Sequence, residues 1–201
     1  MHILDLRENC EAYAPLAAAL LVAAFAEHWP HAWPNLESAM AEVEESLAQD
    51  RLSRIALNDD RQLLGWIGGA PGYNGRVWEL HPLAVAPGWQ GQGIGRALVH
   101  DLEAQVHQRG GLTLLVGTDD ERQMTSLGGV VLYPDPLRHL AAIRNIHRHP
   151  FGFYQKLGFS LVGVIPDANG LGKPDLVMAK RVTDAVRQDT SVGRATGQPV
   201  R

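Results

Sequence analysis

The stretch Val77-Trp-Glu-Leu-His-Pro-Leu-Ala-Val-Ala86, then Pro87-Gly-Trp, Gln90-Gly-Gln-Gly-Ile-Gly95 and Arg96 to Arg109 decides the fold. Val77 to Ala86 is apolar and reads as a strand. Its Pro82 has no N–H to give a ladder, so the strand should be bulged or splayed there. Pro87-Gly88 ends it. Beyond the glycines, Ile94, Leu98, Leu102 and Val106 recur at helical spacing, and Gly110-Gly111 closes that helix. A glycine-rich turn at a helix N-terminus offers unpaired N–H groups and the positive end of the helix dipole, which together make an anion site. No Lys-Ser/Thr pair follows, so this is not a nucleotide P-loop. The spacing also differs from a dinucleotide fingerprint.

Outward from this unit, helices alternate with short strands. Ile3, Leu4 and Leu6 suggest a first strand, and the Ala- and Leu-rich run from Glu11 to about His28 suggests a helix. The segment Trp29-Pro30-His31-Ala32-Trp33-Pro34-Asn35 must interrupt it, because a proline disfavours helix at the residue before it. A second helix should run from Leu36 to Gln49, followed by a hairpin of Ser53–Asn58 and Gln62–Ala70. Leu112 to Gly117 is an apolar, buried strand. A long mixed segment leads to a helix from Pro136 to Asn145 and a short one from Pro150 to Leu157, which Gly158 caps. Phe159–Ile165 and Asp175–Lys180 read as the last strands. The fold class is α+β, a mixed, mostly antiparallel sheet flanked by helices in a single domain over residues 1–182. Residues 183–201 are polar and aperiodic, and a flexible C-terminal tail is expected there.

Composition narrows the function. The 201 residues are 45% hydrophobic and 20% charged, with a net charge of −4. That balance suits a soluble protein and argues against a nucleic-acid partner. No apolar run approaches the roughly 20 residues a membrane helix needs, so no membrane partner is expected. The single cysteine, Cys10, leaves no internal disulfide and suits the cytoplasm. Acidic groups cluster at Glu37, Glu42, Glu44, Glu45 and Asp50 and again at Asp119, Asp120 and Glu121. They read either as solvated surface or as a site for a cationic ligand.

The glycine loop, written Gln90-x-x-Gly93-x-Gly95 after a strand ending in Val85-Ala86-Pro87, resembles the acetyl-CoA loop of the GNAT superfamily of N-acetyltransferases. Phe153-Tyr154-Gln155-Lys156-Leu157-Gly158-Phe159 is similar to that superfamily's penultimate helix and its ending. A narrower resemblance joins Trp78-Glu79-Leu80-His81-Pro82-Leu83, Gly117-Thr118-Asp119-Asp120, His149-Pro150, the run Val162 to Gly170, and Lys173-Pro174-Asp175 to a branch of aminoglycoside 6'-N-acetyltransferases. It covers about Trp66 to Arg181. His147 and His149 stand where the superfamily commonly opens that helix with Asn, and the stretch from Thr118 to Pro150 is long.

The resemblance implies a GNAT fold whose sheet is splayed at the acetyl-CoA site, with acetyl-CoA as cosubstrate and no metal. The acceptor would be a small polycationic amine and the assembly a homodimer. An amine must lose a proton before it can attack a thioester. Glu79 is the candidate acceptor of that proton, directly or through water, and it would lie near the acceptor amine. His81 either relays a proton or is a hydrogen-bonded structural histidine beside Pro82. The N–H of Leu83, freed where Pro82 opens the strand, would stabilise the oxyanion. Tyr154 would protonate the leaving thiolate. Leu83 and Val85 would offer main-chain groups to pantetheine, and Gln90, Gly91, Gln92, Gly93, Ile94, Gly95 and Arg96 would surround the phosphates. Arg96 reads equally as a solvated helix residue. A polycation needs carboxylates, so Asp119 and Asp120 at the end of a buried strand are candidate acceptor contacts. Trp29 and Trp33 either line the acceptor cleft, plug the core or form a dimer contact.

Overall fold

In the computed structural model, which describes residues 1–182, the chain runs β1 (His2–Asp5), α1 (Cys10–Phe25), α2 (Leu36–Ser46), β2 (Leu52–Leu57), β3 (Leu63–Gly72) and β4 (Val77–Val85). It continues through α3 (Ile94–Gln108), β5 (Thr113–Asp119), α4 (Pro136–Ala141), α5 (Phe151–Lys156), β6 (Ser160–Ile165) and β7 (Asp175–Arg181). The expected tail from residue 183 lies outside the described residues. No helix among them is long and apolar enough to cross a membrane.

The seven strands form one sheet in the order β1-β2-β3-β4-β5-β7-β6. Every neighbouring pair is antiparallel except β4 and β5, which run parallel. That exception positions the site. β4 and β5 are paired only at Val77↔Thr113, Trp78↔Leu114 and Glu79↔Leu115. Beyond Glu79, β4 stays with β3 as far as Val85, and β5 stays with β7 as far as Asp119. The sheet therefore parts into two halves that diverge from Glu79 onward.

The parting begins at a bulge. Gly69 pairs with Leu80 but Ile67 pairs with Leu83, so β4 fits one more residue than β3 over this step. The extra length holds His81 and Pro82, where the missing N–H of proline made a bulge expected.

Both faces of the sheet are covered, which explains why β3 is nearly continuous in apolar and small residues. Trp66 belongs to the core formed with α1 and α2, and Ile67 to the core formed with α3. The α3 stripe expected from the sequence is buried as Ile94, Leu98, Leu102 and Val106, joined by Val99. On the other face a polar staple ties α2 to the sheet. The Trp66 indole Nε1 donates to Ser53 Oγ at 2.9 Å, and Ser53 Oγ lies 2.9 Å from Ser46 Oγ at the end of α2. Asn35 caps α2, its side chain accepting from the Ser38 N–H at 2.9 Å.

Helices α1 and α4 stop sooner than their composition suggests. α1 gives way after Phe25 to a run of turns, in which the Trp29 N–H donates to the Phe25 carbonyl at 2.8 Å ahead of Pro30, and the chain after Ala141 is held by other bonds. Asn145 accepts from the His149 N–H at 2.7 Å and donates to the His149 carbonyl at 2.8 Å. That bracket replaces the last helical turn.

Candidate active site

The divergence of β4 and β5 opens a cleft of about 760 Å³. Leu80 to Val85 form one wall and Val116 to Asp119 the other. Trp29 and Trp33 of the turn between α1 and α2, with Glu42 of α2, line one lip; Glu121, Met124, His147 and Arg148 of the long β5–α5 segment line the opposite lip. The Arg122 guanidinium donates to the Glu27 carbonyl and links these lips.

The glycine loop meets this cleft at one end. Gly91 and Gly93 have φ of 75° and 87°, a left-handed backbone that glycine adopts without a Cβ penalty. A Cβ on either would meet no atom within 4 Å, so here glycine serves backbone shape and open approach. Gly93 is the N-cap of α3 and supplies no side-chain bond. Among the described residues, no backbone acceptor takes the N–H groups of Gly91 to Arg96. Six donors thus converge on the positive end of a helix of 15 residues. Gln90 lines the cleft and donates to the Val85 carbonyl at 3.3 Å, and Gln92 donates to the Gly88 carbonyl at 3.4 Å. Both side chains stiffen the loop. Ile94 is buried in the core, so only its backbone faces the loop, while the Arg96 side chain is exposed.

Tyr154 lines the cleft from α5 and is almost wholly buried. Burial pushes its phenol well above the ordinary value. A buried neutral phenol is a donor across neutral pH and never a base. Its helix is pinned by His149. The buried His149 Nε2 lies 3.1 Å from the Asp119 carbonyl, and its Nδ1 accepts from the Phe151 N–H at 3.2 Å. Burial holds the imidazole pKa down, so the neutral tautomer with the proton on Nε2 satisfies both bonds. His149 thereby ties the end of β5 to the start of α5.

Leu83 and Val85 line the cleft, half-buried. His81 also lines it. Glu79 does not: it is exposed on β4 where β4 and β5 are still paired, outside the cleft lining. Its charge nonetheless acts on both His81 and Asp175, raising the pKa of each.

The two acids expected together are separated. Asp119 lines the cleft, and its Oδ1 accepts from the Asn169 amide. Opposite it in the β5–β7 register stands Asp175, whose carboxyl is pushed up by burial first and by the Asp119 charge second. Asp120 is fully buried and is no acceptor contact. Its Oδ1 accepts from the Met124 N–H at 2.6 Å, and its Oδ2 from the Thr125 N–H at 3.0 Å and the Thr125 hydroxyl at 2.6 Å. Asp120 folds the long segment back over the cleft. Replacing it with alanine leaves three donors bare and should cost about 3 kcal/mol of stability by denaturant unfolding. An unchanged midpoint would contradict this anchoring role.

The sequence shows Glu42 only as one member of an acidic cluster, with nothing in the cluster to set it apart from its neighbours. It lies one turn from buried Ala39 and Ser46, on the edge of the buried face, and that spacing was the available signal. Trp29 and Trp33 both reach the cleft, with Phe25 set edge-on to Trp33 at 4.7 Å.

Residues 18–127 match the model of the acetyltransferase (GNAT) family. A search of the curated proteins finds no match. Among solved structures, an aminoglycoside 6'-N-acetyltransferase complexed with coenzyme A is similar, at 36% identity and a TM-score of 0.82, covering 92% of this chain and 98% of that one. The aminoglycoside 6'-N-acetyltransferase from Enterococcus faecium is 37% identical, with a TM-score of 0.80 and the same coverage. The ribosomal-protein-alanine N-acetyltransferase from Brucella melitensis, 19% identical with a TM-score of 0.63 over 90% of this chain and 99% of that one, shares the fold alone. A sheet parted beside a glycine loop at a helix N-terminus and a family match over more than half the chain lead to one conclusion: this protein belongs to the GNAT acetyltransferase family.

Proposed function

We propose that this acetyltransferase moves the acetyl group of acetyl-CoA to the 6'-amino group of aminoglycosides, by direct attack while both substrates are bound. The observation that carries the reading is the two-ended cleft. One end carries the bare N–H groups of Gly91 to Arg96, suited to a pyrophosphate; elsewhere the lining presents the carboxylates of Glu42, Asp119 and Glu121, suited to a polycation. Likeness to enzymes named for this acceptor, at 36–37% identity over 92% of the chain, supports the choice. The reading extends to a homodimer in the cytoplasm.

Acetyl-CoA supplies the thioester whose carbonyl carbon the amine attacks. The residues have the following tasks. Gln90 to Arg96 hold the phosphates, Ile94 through its N–H alone, and Leu83 and Val85 offer main-chain groups to pantetheine. The N–H of Leu83 stabilises the oxygen that gains negative charge on attack. The amine's proton leaves toward Glu79 and His81, two residues apart on β4. Tyr154 gives its proton to the departing sulfur as the carbon–sulfur bond breaks. Asp119 and the Trp29 ring hold the acceptor.

Ligand-linked melting tests the acceptor class. With CoA present, an aminoglycoside at about 100 times its Kd should add about 2.7 kcal/mol of stability. A polyamine or an N-terminal peptide should add far less at equal concentration. Equal shifts for all three would remove the aminoglycoside reading.

A further inference from the structure

One pair in the cleft has a geometry that the scheme above leaves unused. Glu42 of α2 and His81 of β4 come from elements on opposite sides of the first lip, and their Oε2 and Nε2 atoms lie 3.6 Å apart. The Glu42 side chain is only 16% exposed, whereas that of His81 is 50% exposed and open to the cleft. The Trp33 ring packs 5.5 Å from the imidazole and shields the pair on a third side. A carboxylate held against one imidazole nitrogen fixes the tautomer and orientation of the ring and leaves the other nitrogen to exchange protons.

We propose that Glu42 is a positioning residue that holds His81 by Nε2, so that His81, through Nδ1, receives the proton of the acceptor amine. This rests on the acetyltransfer reading. It moves the base from Glu79, which stands outside the cleft lining, to the side chain that lines it. In the step, one N–H bond of the ammonium breaks, its electron pair stays on nitrogen to attack the thioester, and an Nδ1–H bond forms. The resulting imidazolium sits beside the Glu42 carboxylate.

The charge environment fits this task. The His81 pKa is raised, first by the Glu42 carboxylate set against its Nε2 and then by the charge of Glu79, against burial and Arg51. Glu42 is in turn held low by the facing imidazole. The other titratable groups of the cleft are His28, Asp119, Glu121, His147, Arg148 and Tyr154. A base must be deprotonated to act, so a raised His81 pKa places the acidic limb of the rate profile above the ordinary histidine value.

The test is Glu42→Gln, read in two ways. An NMR titration of the His81 ring needs no acceptor: it should move to lower pH in the variant. With whichever amine is turned over, the acidic limb of kcat/KM should move by the same amount in the same direction. The plateau kcat should fall about tenfold, with KM for acetyl-CoA unchanged. Glu42→Asp, which keeps the carboxylate, should hold the limb nearer to wild type. An unmoved His81 titration overturns the pairing even if aminoglycosides are acetylated. A titration that moves while the limb stays fixed overturns the base role. Shifts of both with an acceptor other than an aminoglycoside keep the pair and sink only the substrate. No turnover of any amine overturns both.

Discussion

Gly68→Ala should lower the melting temperature by roughly 6–12 °C and remove most acetyl transfer. The reason lies across the ladder from Pro82. A Cβ at Gly68 would stand 2.2 Å from the His81 carbonyl oxygen and 3.2 Å from Pro82 Cδ. The first neighbour is backbone and cannot rotate away. Overpacking of this kind costs about 3 kcal/mol, and each kcal/mol is worth about 2–4 °C in a domain of this size. Relief would come only by pushing the bulge of β4 into the cleft, which displaces His81 and Leu83 together. Differential scanning calorimetry and a thiol-release assay read the two consequences. A variant that melts and turns over like wild type would show that the bulge does not need this close approach.

Tyr154→Phe should reduce kcat about 100-fold while leaving the melting temperature within a few degrees. The ring keeps its packing against Phe153 and Phe159, so only the hydroxyl is lost. Because burial raises the phenol pKa, the wild-type proton is retained throughout neutral and mildly alkaline pH. The wild-type rate should therefore show no loss from this group at about pH 10, where an ordinary tyrosine titrates. A full rate for the phenylalanine variant across that range would reduce Tyr154 to packing.

The features of the fold and site legible in the sequence are those with local causes. Pro82 cannot donate in a ladder, and the register shift of β4 falls there. The α3 stripe follows from spacing alone, as does the α1–α2 interruption at two prolines. The acids needed more than spacing. Asp119 and Asp120 are consecutive, and successive side chains at a strand end point to opposite sides, so only one of them could reach the cleft. The partners that claim Asp120, Met124 and Thr125, lie in a segment without helical or strand periodicity. Glu42 was hidden differently. Its place on the edge of the buried face of α2 was readable, but its meeting with His81 depends on how the α1–α2 turn seats α2 beside β4. The β5–α5 segment, read only as long and mixed, forms a lip through distant contacts such as the Thr125↔Asn145 bridge and the Arg122–Glu27 bond.

The glycine loop and the parted sheet make this chain an acetyltransferase by family; the acceptor is the claim most in need of measurement. The direct test is thiol release from acetyl-CoA with two aminoglycosides that differ only in bearing an amino or a hydroxyl group at the 6' position. The account predicts turnover of the amino compound, with the acetyl group found on the 6' nitrogen, and none of the hydroxyl compound. Equal turnover of the two, or acetylation at another nitrogen, would contradict it.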